Sequence, residues 1–276
     1  MKIILRKRDS VVSVILFIFN IFHEYTGSYS IKLDHLIRCM SFFDKNETAA
    51  RMGLSRMVKA EILINKKVNS DVYYELTQLG KDNINLWNLG VSRFFKRYSL
   101  RHQQWNKKWY MLALLNFSRT ENQPIMDQLT EIGFRELTKD LWISPYSISP
   151  EANELLAEKF DFVEISGEIS GEFNKQEILE KIFGIEALKS RYNEFLSLSN
   201  SIKNSMVKDI NRNEEYLPLL FELGWNFYDI TINDPALPKA FLDSWVGDKA
   251  VAEMRDLRSS LYNHITIFFS ELISKD

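Results

Sequence analysis

The chain contains 276 residues, of which 45% are hydrophobic and 26% charged, a composition typical of a soluble globular protein with two or three domains. Its single cysteine, Cys39, excludes an internal disulfide and a zinc site built on thiolates alone, and it indicates a reducing compartment. The net charge of −2 conceals a basic half, with 19 Lys and Arg against nine Asp and Glu in residues 1–108, and an acidic half, with 16 against 28 in residues 109–276. A basic half favours a polyanionic partner, with chance variation of surface charge as the alternative. We expect a cytoplasmic protein.

The first apolar run follows basic residues and resembles a signal peptide in that respect alone. Val11–Phe22 spans about 12 residues, which is too short to cross a bilayer as a helix. The next residues, His23, Glu24 and Tyr25, offer no small-residue cleavage site. The sequence therefore predicts a buried first helix over Val11–Tyr25 and no membrane partner.

Two more helices are predicted after a break at Thr26-Gly27-Ser28. Ile31–Phe43 carries apolar residues at helical spacing. Asp44, followed three residues later by Glu47, resembles a capping box, which predicts a third helix from this point to about Ala60.

A β-hairpin follows the third helix. Two β-prone runs, Ile62–Val68 and Val72–Leu76, flank a turn signal. Thr77–Phe95 is predicted as a helix loosened at Gly90. We interpret the next segment as a basic linker, with Lys96, Arg97, Arg101, Lys107 and Lys108.

The pattern then changes to short strands and helices. Strands are predicted over Trp109–Phe117, Leu141–Ser144 and Phe160–Ile165, and helices over Gln123–Ile132 and Pro150–Lys159. This order predicts a small α/β sandwich. From about residue 174 onward the chain is predicted to be helical.

The third helix carries the side chains that suit DNA. At 100° per residue, its polar side chains gather on one face and its apolar side chains on the other. Arginine can contact guanine through two hydrogen bonds, while lysine and hydroxyl side chains suit phosphates or bases. A solvated helix face is the alternative interpretation. The candidate DNA-binding residues are Thr48, Arg51, Ser55, Arg56 and Lys59 on this helix, with Lys66 and Lys67 on the hairpin.

Three segments, in order along the chain, resemble the PaaX family of transcriptional repressors of phenylacetate catabolism. They are Arg51–Met57 with the hairpin and Tyr73–Gly80, then Trp105–Trp109 before an apolar strand, and finally Asp234–Pro238 with Trp245-Val246-Gly247.

The resemblance implies an α+β multidomain fold. Its parts would be a winged helix-turn-helix at residues 1–98, a ferredoxin-like middle domain at 105–173 and a helical C-terminal domain at 174–276. It also implies a homodimer on double-stranded operator DNA, released by an aryl-CoA thioester such as phenylacetyl-CoA or a related acid. Arg51 and Arg56 align with recognition-helix arginines, and Lys67 aligns with a basic wing position.

The sequence offers further candidate sites. Arg191, Trp225, Tyr228 and Trp245 are candidate effector-binding residues, although ordinary core is the alternative for the aromatic ones. Asp234-Pro235 is interpreted as a rigid turn and not as a catalytic site. The four histidines lie far apart in the sequence, so we expect no metal site, no catalytic residues and no cofactor.

Two other functions remain as alternatives. The predicted middle domain resembles the ferredoxin-fold nucleases associated with CRISPR systems, which hold metal through an acidic residue near the end of the first strand. The corresponding segment, Leu114-Leu115-Asn116-Phe117, has no carboxylate, so we expect no enzyme. A winged helix that docks on an acidic protein is the third alternative.

Overall fold

The structure is a computed structural model that describes residues 8, 10–115, 123–148, 150, 153, 156, 161–169, 175–207 and 213–274. It is a mixed α+β fold with two small antiparallel sheets and many helices. The chain divides into two compact units. The first contains residues 1–88, 196–227 and 251–276, and the second contains residues 89–195 and 228–250.

The first half of the chain forms helices α1 to α4 and strands β1 to β3. Their bounds are α1 Val11–Thr26, β1 Ser30–Lys32, α2 Leu33–Ser41, α3 Glu47–Lys59, β2 Leu63–Val68, β3 Asp71–Leu76 and α4 Gln78–Arg101. The strands pair antiparallel in the order β1-β3-β2. The predicted start of the second helix at Ile31 is wrong, because Ile31 pairs with Tyr74 across β1 and β3 and the helix begins at Leu33.

The remaining elements are four strands, five helices and a short 3₁₀ turn in the described part of the chain. They are β4 Trp109–Leu114, α5 Gln123–Glu131, β5 Arg135–Thr138, β6 Leu141–Ser144, β7 Phe162–Gly167, α6 Lys175–Lys181, α7 Ile185–Val207, the 3₁₀ turn Asn213–Glu215, α8 Tyr216–Thr231 and α9 Val246–Ile273.

The predicted first helix is confirmed, and its ends show why it forms there. The Ser10 side chain accepts a hydrogen bond from the backbone N–H of Ser13, which caps the start of α1. Gly27 adopts a left-handed φ of 73° and ends the helix, a conformation that glycine reaches without steric cost. Ile15, Ile18 and Phe19 are each 0% exposed, so the apolar run forms core.

The core of the first unit joins α1 to the C-terminal helices through aromatic pairs. Phe17 lies 5.0 Å from Phe221 in α8, and Phe22 lies 5.3 Å from Phe269 in α9, with their rings nearly edge-to-face. Cys39 of α2 is buried in this unit, and burial raises the pKa of its thiol to about 12. The division into three domains at the bounds given above stays a prediction.

The second unit contains a four-stranded antiparallel sheet in the order β5-β6-β4-β7. The core beneath it is formed by Leu112, Leu129, Phe134, Trp142 and Leu156, which are at most 4% exposed. Strand β5 is absent from the sequence-based prediction, because Arg135–Thr138 has no regular apolar pattern. Its residues are only half-buried, apart from an exposed Thr138, and they pair with the buried strand β6.

One predicted strand of this sheet is shorter than expected, and two predicted segments lie outside the described residues. The predicted strand over Trp109–Phe117 ends at Leu114. Asn116, Phe117 and most of the predicted helix Pro150–Lys159 lie outside the described residues.

The predicted linker with Arg97 and Arg101 is wrong, because α4 continues through Gly90 to Arg101. Arg97 is 6% exposed and Arg101 is 1% exposed. Arg101 donates to both carboxylate oxygens of Asp248, at 2.9 and 2.8 Å, and to the backbone oxygens of Leu237 and Leu242, each at 2.6 Å. These arginines therefore hold structure together in the second unit.

The Asp234–Pro238 segment is the turn that these arginines hold. The carboxylate of Asp234 accepts hydrogen bonds from Tyr192 Oη at 2.5 Å and from the backbone N–H of Ala236 at 2.7 Å. Arg97 donates to the backbone oxygen of Asp234 at 3.2 Å. Burial raises the pKa of Asp234, although the hydrogen bonds from Tyr192 and Ala236 to its carboxylate act to lower it. The interpretation as a fixed turn agrees with this geometry.

Across the described ranges, no helix combines the length and the apolar content that a membrane span requires.

Candidate nucleic-acid interface

The candidate interface centres on α3, which begins after a side-chain cap. Asn46 Oδ1 accepts a hydrogen bond of 2.9 Å from the backbone N–H of Ala49. The predicted capping box with Asp44 is wrong, because Asp44 adopts a left-handed φ of 56° in the preceding turn. The first helical residue is Glu47, whose negative charge suits the positive end of the helix dipole.

One face of α3 is buried, and this face fixes the helix in the first unit. Ala50, Gly53, Leu54 and Met57 are its buried residues, and α3 contacts both α1 and α2. A Cβ atom on Gly53 would lie 2.2 Å from Val11 Cγ1 of α1. Glycine at this position therefore allows α3 to lie closer to α1 than any other residue would.

The opposite face of α3 is exposed, and it carries the hydroxyl and cationic side chains. The candidate residues Thr48, Arg51, Ser55, Arg56 and Lys59 are all exposed, together with Met52. They share the side of the helix turned away from α1 and α2. Their separation from the buried face follows the helical wheel that the sequence predicts.

The exposed cations of α3 differ in whether they already have a partner. Arg51 Nε donates to Glu47 Oε1 at 2.7 Å. Arg56 and Lys59 form no ion pair with any residue that the structure describes. Arg56 and Lys59 can therefore contact an anionic ligand directly, whereas the ion pair between Arg51 and Glu47 must break before Arg51 can do so.

The β2–β3 hairpin supplies the two other candidate lysines. Its strands pair from Leu63 with Leu76 to Val68 with Asp71, so that Asn69 and Ser70 form the turn. Strand β2 is at the edge of the sheet, and its residues after Leu63 are exposed on both faces. Lys66 and Lys67 therefore both reach solvent.

The charges of the hairpin are partly balanced by its own acids. Lys66 Nζ lies 2.5 Å from Glu75 Oε2, whereas Lys67 has no ion pair among the described residues. Asp71 at the hairpin turn forms an ion pair of 3.1 Å with Lys32 of β1. The pair reduces the negative field of Asp71 near the turn.

The four candidate effector residues fall into both compact units. Trp225 belongs to the first unit, where its ring lies 5.2 Å from Trp87. Arg191, Tyr228 and Trp245 belong to the second unit. Trp245 is 8% exposed and meets Tyr192 edge-to-face, while Arg191 forms an ion pair with Asp229. Burial raises the pKa of Tyr228 to about 12.

The second unit also contains an open cleft of 570 Å³ that none of these four residues lines. Trp105, Lys107 and Trp109 contribute to it, so the motif Trp105–Trp109 is the sequence signal that marks it. Within the described ranges, no group of three His, Cys, Asp or Glu side chains is arranged to hold a metal ion.

Comparison with known families covers both ends of the chain. Residues 11–80 match the model of the PaaX-like protein, and residues 183–271 match the model of the PaaX-like protein C-terminal domain. The chain belongs to the PaaX family. Proteins of the PaaX family are generally transcriptional regulators of phenylacetic acid catabolism, and the family is one of regulators rather than enzymes.

This PaaX-family protein also resembles a solved structure over nearly its whole length. The uncharacterized protein Rv0674 from Mycobacterium tuberculosis is 18% identical, with a TM-score of 0.61 over 93% of this chain and 97% of that chain. The likeness concerns the fold alone. The chain matches none of the curated proteins.

Proposed function

We propose that this PaaX-family protein is a DNA-binding transcriptional repressor in which α3 is the recognition helix. In this proposal α1, α2, α3 and the β2–β3 hairpin form a winged helix-turn-helix, with the hairpin as the wing. The observation that carries the proposal is the division of α3 into a face buried against α1 and α2 and an exposed cationic face.

The geometry suits a helix inserted into the major groove. Arg56 and Arg51 would contact guanine, Thr48 and Ser55 would contact bases or phosphates, and Lys59 would contact the backbone. Lys66 and Lys67 on the wing would add phosphate contacts, which strengthen binding without adding sequence preference.

The proposal extends to assembly and release. We propose a homodimer on a two-fold operator, whose half-sites would lie one helical turn apart, about 34–36 Å. The four-stranded sheet of the second unit would be a ferredoxin-like domain, because its strand order β5-β6-β4-β7 and its antiparallel pairing suit that fold. An aryl-CoA thioester or a related acid would release the DNA by favouring a dimer geometry that no longer fits the half-sites.

Selection from a random duplex library tests the proposal and requires no known operator sequence. The purified chain should enrich a two-fold sequence, and fluorescence anisotropy then gives its affinity. Arg56→Ala should weaken binding to that sequence by at least about tenfold, since a bidentate arginine–guanine contact contributes about 1–3 kcal/mol of discrimination.

Lys249→Ala is the matched control. Lys249 is an exposed cation of α9, so this change removes the same charge from a different helix and should leave the affinity within about twofold. A library with no enriched sequence, or equal losses for the two variants, would contradict the repressor proposal. DNA that fails to compete with an acidic protein for the exposed face of α3 would instead support a docking module.

A further inference from the structure

The open cleft in the second unit has walls of two different kinds. Trp105 and Trp109 supply aromatic surface, and Ile169 and Ala240 add apolar surface. The polar lining residues are Gln103, Gln104, Lys107 and Glu168. A concave site with apolar walls and a few convergent polar groups is the usual form of a small-molecule site, and 570 Å³ is within the usual size range.

The aromatic wall is held in a fixed orientation. The Trp105 ring packs edge-to-face on Trp109 at 5.6 Å and on Phe241 at 4.6 Å. Its indole N–H donates to the backbone oxygen of Pro145 at 3.3 Å. Trp105 is nevertheless only half-buried, so part of a fixed aromatic surface faces the cleft. A flat ring can pack on such a surface with little loss of side-chain freedom.

The loop that carries Lys107 is also fixed before any ligand binds. Asn106 Oδ1 accepts from the backbone N–H of Lys108 at 2.9 Å, and Asn106 Nδ2 donates to Tyr110 Oη at 2.9 Å. Lys107 adopts a φ of 65°, which residues other than glycine seldom adopt. Among the residues that the structure describes, Gln103, Gln104 and Lys107 have no hydrogen-bond or salt-bridge partner for their side chains.

The cleft offers one cation to an acidic ligand. Of the lining residues in the described part of the chain, Lys107 is the one cation and Glu168 the one carboxylate. Lys108 and Lys239 adjoin lining residues in the sequence but are not part of the lining. A single carboxylate needs only one lysine and the amide donors of the two glutamines.

We propose that this cleft binds a small planar aromatic acid, with the ring on Trp105 and the carboxylate on Lys107. This proposal rests on the proposed function insofar as the acid is the effector that releases DNA. The binding itself is independent of DNA.

Isothermal titration calorimetry on the full chain tests the proposal, with 2-naphthoate as the probe. Wild-type protein should bind 2-naphthoate at one site, and cyclohexanecarboxylate should bind at least about tenfold more weakly because its ring is not flat. Lys107→Gln should weaken 2-naphthoate binding about tenfold or more, whereas Lys108→Gln, which alters the next residue outside the lining, should leave it within about twofold. Trp105→Phe keeps a ring at the wall and should weaken binding less than Trp105→Ala.

Two results would overturn the proposal. They are the absence of any heat of binding with 2-naphthoate at millimolar concentration, and equal effects of Lys107→Gln and Lys108→Gln on its affinity. DNA selection without ligand distinguishes failure of the cleft proposal from failure of the repressor proposal. If a DNA sequence is enriched but no acid binds, only the cleft proposal is overturned. If the acid binds but no DNA sequence is enriched, only the repressor proposal is overturned.

Discussion

Arg51 and Glu47 form an ion pair one turn apart on α3, with 2.7 Å between Arg51 Nε and Glu47 Oε1. Both side chains are at least half exposed, so the pair contributes little to stability. Its consequence concerns binding, because Glu47 competes with any phosphate or base for the Arg51 guanidinium. Glu47 therefore sets how much of the charge of Arg51 is available to DNA.

The first prediction follows from this competition. Glu47→Gln should raise the affinity for the selected DNA about three- to tenfold at low salt, with a steeper dependence on salt concentration. Arg51→Ala should abolish or strongly reduce binding and leave the fold intact, as checked by circular dichroism. In the Arg51→Ala background, Glu47→Gln should have a clearly smaller effect. An equal gain in both backgrounds would show that Glu47 acts on DNA by simple repulsion and not through Arg51.

The second prediction concerns the close approach of α3 to α1. Gly53→Ala would place a Cβ atom 2.2 Å from Val11 Cγ1. Alanine favours helix, but overlap with a neighbouring side chain costs about 1–3 kcal/mol of unfolding free energy, so we expect net destabilisation in urea unfolding.

Val11→Ala provides the internal control for this clash. The double variant Val11→Ala/Gly53→Ala should lose less stability than the two single changes added together, because the shortened side chain makes room for the new methyl group. If the two losses of unfolding free energy simply add, overlap between Val11 and residue 53 is not the cause of the destabilisation.

The third prediction distinguishes the observed cap of α3 from the expected one. Asn46→Ala should lower the unfolding free energy by about 1 kcal/mol, because it removes the acceptor for the Ala49 N–H. Asp44→Gly should be neutral or stabilising, since Asp44 occupies a left-handed conformation at a φ of 56°. A larger loss of unfolding free energy for Asp44→Gly than for Asn46→Ala would instead support Asp44 as the cap of α3.

The fourth prediction concerns acid. Burial tends to raise the pKa of Asp248, but the hydrogen bonds and charge of Arg101 outweigh it and hold that pKa below its usual value. A lowered pKa in the folded state contributes stability that is complete above the unfolded pKa of about 3.9 and is lost as the pH falls through the folded pKa. The unfolding free energies of the wild type and Asp248→Asn should therefore differ clearly at pH 7 and converge below about pH 4. A difference in unfolding free energy that grows as the pH falls would contradict a lowered pKa of Asp248.

Much of the first half of the fold was predictable because its local signals agree with its tertiary contacts. Val11–Thr26 and the hairpin carry strong apolar periodicity and turn residues, and both elements lie where the sequence places them. The helical wheel also separated the buried residues of α3 from its exposed residues. The binding roles of those exposed residues stay predictions.

The errors share a physical cause, which is that partners distant in sequence determine the outcome. Arg97 and Arg101 have the sequence appearance of a solvated basic linker, yet backbone oxygens more than 130 residues away bind them. Strand β5 forms because β6 is beside it. The start of α2 was missed because Ile31 pairs with Tyr74, which the local sequence does not reveal.

The buried thiol of Cys39 makes this chain convenient for spectroscopy. At neutral pH a thiol with a pKa of about 12 is almost entirely protonated, and at 1% exposure it offers no access to a maleimide. A cysteine introduced on the exposed face of α3 would therefore be labelled alone, with Cys39 left in place. Fluorophores at such positions in two copies of the chain would measure the distance between their α3 helices in solution, with and without DNA or an aromatic acid.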